Sequence, residues 1–184
     1  KIDKMSNTRI TTKKVRFSYV QVFEPTAMEE GQTKKYSAAI LIPKTDKVTV
    51  KAIKDAIQSA LELGKSKHFG GVLPKKWDNP LRDGDEEKDD EVYAGHYFIN
   101  AKSVRKPIIL DTDKSLLEDK DEFYSGCYGR AVINFYAYGN GIPSKGIAVG
   151  LESAMKTEDG DNLGGGGASM NEILDAYGDD DDLL

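Results

Sequence analysis

The chain has 184 residues, 39% hydrophobic and 31% charged, with a formal net charge of -5. That is the length of one domain with about 30 residues to spare, and enough apolar content for one core. No run approaches the roughly 18 consecutive apolar residues of a membrane helix, a lone cysteine, Cys127, forbids an internal disulfide, and one Cys with two His argues against a structural zinc site.

Residues 1–13 are polar and aperiodic and read as a flexible arm. Residues 14–23 then alternate, with Val15, Phe17 and Tyr19 on one side and Arg16, Ser18, Val20 and Val22 on the other, which predicts a strand. Residues 24–33 carry Pro25 and Gly31 and read as a loop. A second strand over 36–42 puts Tyr36, Ala38, Ile40 and Ile42 on one face and stops at Pro43. From Thr45 or Thr49 as N-cap the period lengthens: Val50, Ile53, Ile57, Ala60 and Leu61 form a stripe, and Gly64 marks the stop of the one substantial helix.

Residues 65–91 form a long loop, basic and aromatic in its first half (Lys65, Lys67, Lys75, Lys76, Trp77) and acidic in its second. Loops of this length are usually functional or disordered. Trp77 reads equally as a binding residue or as a core plug. Residues 92–102 and 104–111 predict neighbouring strands, followed by an acidic connection at 113–121 whose Leu116 and Leu117 are expected to tuck inward. Residues 128–138 alternate cleanly, with Tyr128, Arg130, Val132, Asn134, Tyr136 and Tyr138 opposite the core set Gly129, Ala131, Ile133, Phe135 and Ala137. Turn chemistry at 138–143 leads to a last strand over 145–151. Beyond it come a glycine linker at 164–167, a capping-box pattern opening at Ser169, and Asp179-Asp180-Asp181-Asp182-Leu183-Leu184.

The expected organisation is an arm (1–13), a body (14–151) and an acidic tail (152–184). About six strands with one helix fit a mainly β fold, an OB-fold-like antiparallel β-barrel, with a β-sandwich as the alternative. Residues 152–184 hold ten acids against Lys156, a net of -9, so residues 1–151 carry +4; residues 83–91 hold seven acids and one lysine, a net of -6, leaving +10 on the remaining body. An acidic whole therefore conceals a basic body, as expected of a polyanion binder with an acidic tail.

Cations beside aromatic side chains are what a protein needs to hold unpaired nucleic acid without reading its sequence. The candidates are Lys102, Arg105, Lys106 and Arg130 with Lys75 and Lys76 from the loop, and Tyr124, Tyr128, Tyr136 and Trp77 as stacking surfaces. A tyrosine on a sheet is also a common half-buried packing residue, and Phe17, Phe98 and Phe135 are assigned to the core. Enzymatic readings have less behind them. The acids at 83–91 would suit a metal-dependent nuclease or junction-processing enzyme, but consecutive loop acids are usually solvated. His68 and His96 do not pair by motif, and Cys127 falls on the apolar side. A third reading makes the tyrosines a protein interface of a structural protein. No catalytic residue, cofactor or metal is assigned.

The run Asn79-Pro80-Leu81-Arg82-Asp83-Gly84, then Gly95-His96-Tyr97-Phe98-Ile99-Asn100-Ala101-Lys102-Ser103, Lys106-Pro107 with Asp111, Tyr124-Ser125-Gly126-Cys127-Tyr128, Asn134-Phe135-Tyr136-Ala137-Tyr138, and Gly146-Ile147 leading to Leu151 resembles the bacteriophage and prophage single-stranded DNA-binding proteins. The resemblance spans roughly residues 12–165. It implies an OB-fold, a role in phage DNA replication or recombination, and a cytoplasmic place in an infected or lysogenic host. It also implies an acidic C-terminal tail that meets phage or host replication and recombination proteins. The tail's tip, Leu183 and Leu184, departs from the aromatic tip of many such proteins. Self-association is left open.

Overall fold

The computed structural model describes residues 7–139, 144–164 and 170–178. Its strands are β1 (Arg9–Thr11), β2 (Val15–Thr26), β3 (Lys35–Pro43), β4 (Arg82–Asp83), β5 (His96–Ser103), β6 (Ile108–Leu110), β7 (Tyr128–Tyr138) and β8 (Gly146–Glu158). The helices are α1 (Lys47–Lys67), α2 (Gly84–Glu87) and α3 (Met170–Tyr177). Five strands pair in a closed ring, β2 to β3 to β5 to β8 to β7 and back to β2, with β1 added beside β7 and β6 beside β8. This is the OB-like barrel, with one amendment: β5 and β6 both run parallel to β8, so the sheet is not wholly antiparallel.

The barrel interior is filled by the inward side of each strand, with Phe17, Ile40, Ile42, Ile99, Ile133, Phe135, Leu151 and Phe123 among its most buried side chains. β7 follows its alternation throughout. The helix stripe at Val50, Ile53, Ile57, Ala60 and Leu61 is buried against the same core. Asp46, rather than Thr45 or Thr49, caps α1, its carboxylate accepting from the Thr49 amide at 3.1 Å. Nor does Gly64 stop the helix. It is buried inside the last turns, where an added Cβ would stand 2.3 Å from Ala137 Cβ, so its role is close approach to β7.

The sheet takes in residues on both sides of 14–151. Arg9, Ile10 and Thr11 pair with Asn134, Ile133 and Val132, and β8 runs on to Glu158. The expected strand over 104–111 shrinks to Ile108–Leu110, and β5 begins only at His96. Leu117 is buried but Leu116 is 62% exposed, so one of the two leucines tucks in. Phe98 is buried as expected, but on the outer side of the barrel. There it forms a small second cluster with Ala39, Leu41 and Tyr93, roofed by the segment between α2 and β5. β3 and β5 are consequently covered on both faces at that end.

In β2 the alternation breaks. A bulge between Ser18 and Gln21, with Tyr19 at φ +48°, turns Tyr19 outward and returns Val22 to the core. The linker at 165–167, Ser169, the turn at 140–143 and the tail tip at 179–184 lie outside the described residues.

Candidate nucleic-acid interface

A single row of residues crosses the outer face of the sheet. Strand register aligns Gln21 with Ser37, Ser37 with Lys102, Lys102 with Gly150, Gly150 with Asn134, and Asn134 with Arg9. None of these six is buried, because each sits on the strand phase opposite the core residues. Gly150 leaves the row open at its centre. A Cβ there would touch the Tyr136 ring at 3.7 Å, and that ring, 45% exposed, lies beside the row.

A cleft adjoins each end of this face. The first, about 420 Å³, is lined by Lys75, Lys76, Trp77, Asp78, Ser144 and Lys145. It is held to the β7–β8 hairpin by the Asp78–Gly146 bridge and by Tyr138 Oη, which donates to Asp78 Oδ2 at 2.8 Å. Burial, and then the neighbouring Asp78 carboxylate, push the Tyr138 phenol up, so it stays a donor at neutral pH. The second cleft, about 540 Å³, lies between the β2–β3 loop and β5, with Met28, Gln32, Thr33, Lys35, Ser37 and Lys102 on its walls. Arg105 and Lys106 occupy the exposed turn just beyond β5, where Ser103 Oγ accepts from the Arg105 amide at 3.1 Å.

Of the residues expected at the site, Lys102 and Tyr136 share the outer face, Arg105 and Lys106 follow in the exposed turn beyond β5, and Lys75, Lys76 and Trp77 line the first cleft. Trp77 is half-buried: it packs on the core and also lines the first cleft. Tyr124, Tyr128 and Arg130 stand apart. Eight strand residues separate Tyr128 from Tyr136, roughly 26 Å. The Tyr128 ring lies under Lys14 and Arg16, at 4.9 and 5.1 Å from its centroid. Arg130 Nε donates to the Thr12 carbonyl at 2.8 Å. Tyr124 Oη donates to Asp159 at 2.9 Å and accepts from the Gly160 amide at 3.2 Å, while Lys156 covers its ring at 5.3 Å. These contacts lock the start of β7 to the N-terminal segment and to the chain leaving β8.

Lys35, Lys145, Ser37, Gln21 and the loop residues Met28, Gln32 and Thr33 were not legible as site residues. The two lysines had only their charge to signal them, and the loop's glutamates and proline pointed away from a polyanion.

The acidic run at 83–91 is tied to neighbouring basic side chains through Asp83, Asp85 and Glu87, while every acid in it except Asp83 stays exposed. Lys44 Nζ sits 2.6 Å from Asp83 Oδ1 and 2.7 Å from Asp85 Oδ2. These hydrogen bonds hold the Asp83 and Asp85 carboxyls below the usual range and raise the Lys44 ammonium. Asp85 also accepts from the Gly95 amide at 3.0 Å, and Arg82 pairs with Glu87 at 2.7 Å. Among the described residues no cluster of three or more His, Cys, Asp or Glu is arranged to hold a metal ion, and no helix is long and apolar enough to cross a membrane. Cys127 is fully buried, and burial pushes its thiol up, so it is packed rather than nucleophilic.

Comparison with known proteins places this geometry. Protein p50 of Acyrthosiphon pisum secondary endosymbiont phage 1 is 33% identical over 184 residues, covering 96% of this chain and 98% of its own. The single-stranded DNA-binding protein of bacteriophage Enc34, solved in complex with ssDNA, is similar with a TM-score of 0.73 and 31% identity, over 85% of this chain and 90% of that one. The single-stranded DNA-binding protein gp2.5 of bacteriophage T7 shares the fold, with a TM-score of 0.60 at 16% identity over 91% and 93% of the two chains. A family model described as the ssDNA-binding protein of Enterobacter phage Enc34 matches residues 8–184, and the chain belongs to that family of phage single-stranded DNA-binding proteins.

Proposed function

We propose that this protein binds single-stranded DNA without sequence preference, along the outer face that runs from the Lys75–Lys145 cleft past Tyr136 and Lys102 to the β2–β3 loop. The observation that carries the reading is the cross-sheet row: small or polar side chains open at Gly150, an exposed ring beside it, and lysines at both ends. Phosphates follow the cations, and bases meet the tyrosine face. Each base–aromatic stack is worth about 1–3 kcal/mol whatever the base, which is why such a surface is tolerant of sequence. Likeness to a phage protein solved with ssDNA supports the same assignment.

The role is one of binding, not catalysis. Asp83 and Asp85, the acids a nuclease reading requires, are committed to Lys44. In the infected cell the protein coats DNA exposed during replication or recombination. Its tail carries the partner-binding function through Asp179, Asp180, Asp181, Asp182, Leu183 and Leu184. Folded back on the body, the tail brings its four aspartates against the cations of the same face. Its aspartates then compete with phosphates until DNA displaces them.

The test is a fluorescence titration of oligo-dT and of a matching duplex, across several salt concentrations, on the full chain and on a chain ending before Asp179. Tight, salt-sensitive single-strand binding with weaker duplex binding is expected, and the shortened chain should bind more tightly at low salt. Equal affinity for single strand and duplex would overturn the DNA claim. Equal affinity of the two chains at low salt would overturn the tail claim alone.

A further inference from the structure

Tyr19 has no explanation in the packing of the fold. It is one of only two non-glycine residues with positive φ among the described residues, at +48°, inside the bulge that breaks β2 between Ser18 and Gln21. An aromatic residue in that region carries a backbone strain that glycine or asparagine would largely avoid. A bulge needed only to curve the barrel would carry one of those two. Burial does not offset the cost either, because the Tyr19 side chain is 66% exposed while its neighbours Ser18 and Val22 are buried.

The surroundings hold the strained residue in place. The Val20 amide donates to Ser125 Oγ at 3.0 Å, and on the other side Gly126 donates to the Phe17 carbonyl at 2.8 Å. Backbone groups freed by the bulge are thus satisfied, and the ring is fixed outward. On one side of Tyr19 in the chain, Ser18 pairs with Ala39 of the outer cluster that Tyr93 and Phe98 complete. Two residues beyond Tyr19 on the other side is Gln21, the first member of the Gln21–Ser37–Lys102 row.

We propose that Tyr19 is a second base-stacking platform, at the β2 end of the row that Tyr136 serves at the β7 end, and that the bulge is retained to present it. The proposal rests on the reading of this face as the single-strand site. Round the barrel by way of β3, β5 and β8, the path from β2 to β7 is four strand spacings, roughly 19 Å, and passes Ser37, Lys102 and Gly150. A single strand crossing the row meets a ring at each side and Lys102 in the middle. The exposed ring gains its compensation only when a base lies on it.

The experiment compares wild type with Tyr19→Gly and Tyr19→Phe in oligo-dT titrations at one salt concentration, with melting curves on each. Glycine relieves the backbone strain while removing the ring, so Tyr19→Gly should melt no lower than wild type yet bind about 5- to 150-fold more weakly. Tyr19→Phe should bind within about twofold of wild type. Nitration of the wild-type protein by tetranitromethane, mapped by mass spectrometry, should mark Tyr19 when free and spare it when oligo-dT is bound. Wild-type affinity in Tyr19→Gly, or nitration of Tyr19 unchanged by DNA, would overturn the proposal. The parent reading is judged separately in the same titrations. If wild type binds and Lys102→Gln weakens it while Tyr19→Gly does not, only the Tyr19 assignment fails; if wild type itself does not prefer single strands, both fail.

Discussion

Replacing Gly84 by alanine should release the roof over β3 and β5 while leaving the barrel folded. A Cβ built on Gly84 stands 2.3 Å from the Tyr93 carbonyl oxygen, 2.7 Å from that of His96 and 3.1 Å from Tyr93 Cβ. The first two are backbone atoms and cannot swing away, so the segment must move by about 1 Å to reach van der Waals contact, at the usual overpacking cost of about 1–3 kcal/mol. What holds the segment is of the same size: Tyr93, buried edge-to-face on Phe98 at 5.2 Å, contributes about 1.5–3 kcal/mol of burial. The exposed Lys44 ion pairs add little. Strain and anchorage nearly cancel, so the roof opens locally before the barrel melts. Hydrogen exchange read by mass spectrometry should show the amides of residues 93–97 losing roughly 10- to 100-fold protection, while those of α1 and β7 keep theirs. Uniform loss across the molecule, or unchanged protection at 93–97, would refute the argument that this glycine is there for the close approach.

Other consequences can be tested in parallel. Replacing Lys102, Arg105 and Lys106 together by glutamine should weaken oligo-dT binding for every sequence and flatten the log–log salt slope by about 2, read from anisotropy titrations; an unchanged slope would place the phosphates elsewhere. Gly64→Ala should cost about 1–3 kcal/mol through its 2.3 Å encounter with Ala137 Cβ and lower the melting temperature by about 2–4 °C for each kcal/mol, with Ala137→Gly restoring part of it. Lys156 lies buried between Glu122 and Asp159 at 3.2 and 2.7 Å; Lys156→Met should be nearly neutral in denaturant melts, whereas Glu122→Gln with Asp159→Asn should destabilise, because it strands the ammonium. The Asp83, Asp85 and Glu87 carboxyls are all held low by hydrogen bonds to Lys44 or Arg82. Their stabilisation is therefore complete above the unfolded values near 4 and is lost only as pH falls through the lower folded ones. Amide exchange at Gly95 and Tyr97, corrected for intrinsic rates, should be flat from about pH 5 to 8 and rise below about pH 4, and Lys44→Gln should shrink that step to the part carried by the Arg82–Glu87 pair and the Gly95 amide.

The parts of the fold that were legible are those in which one local pattern decides. β7 shows its two faces because its inward set is wholly apolar or small and its outward set, Val132 apart, is aromatic, polar or charged. The α1 stripe shows itself for the same reason at a longer period. Where tertiary contacts override the pattern, the reading failed. Tyr19 sits in phase with Val15 and Phe17, and nothing local announces the bulge that expels it. Gly64 looks like a stop signal because space against Ala137 is invisible in one dimension. β8 was ended seven residues early because Lys156 among acids looks solvated, although Ala154 and Lys156 are both buried.

The site shows the same division. Lys102, Arg105, Lys106 and Tyr136, which the proposed face takes in, could be singled out in the sequence because the cations and the ring lie on or beside well-patterned strands. Tyr124 and Tyr128 were grouped with them by nearness in sequence, yet lie at the other end of a long strand and serve as fasteners. Lys35 and Lys145 reach the face only through strand order and hairpin closure, which one sequence does not reveal.

Ultraviolet crosslinking of the wild-type protein to oligo-dT, with the attached peptides located by mass spectrometry, tests the central claim most directly. The account predicts attachment at Tyr136 and Tyr19 and in the segments that carry Lys35, Lys102 to Lys106, and Lys75 to Trp77. Attachment concentrated at Tyr124 and Tyr128, with Tyr136 and the Lys102 segment unmarked, would contradict it and move the DNA to the opposite end of β7.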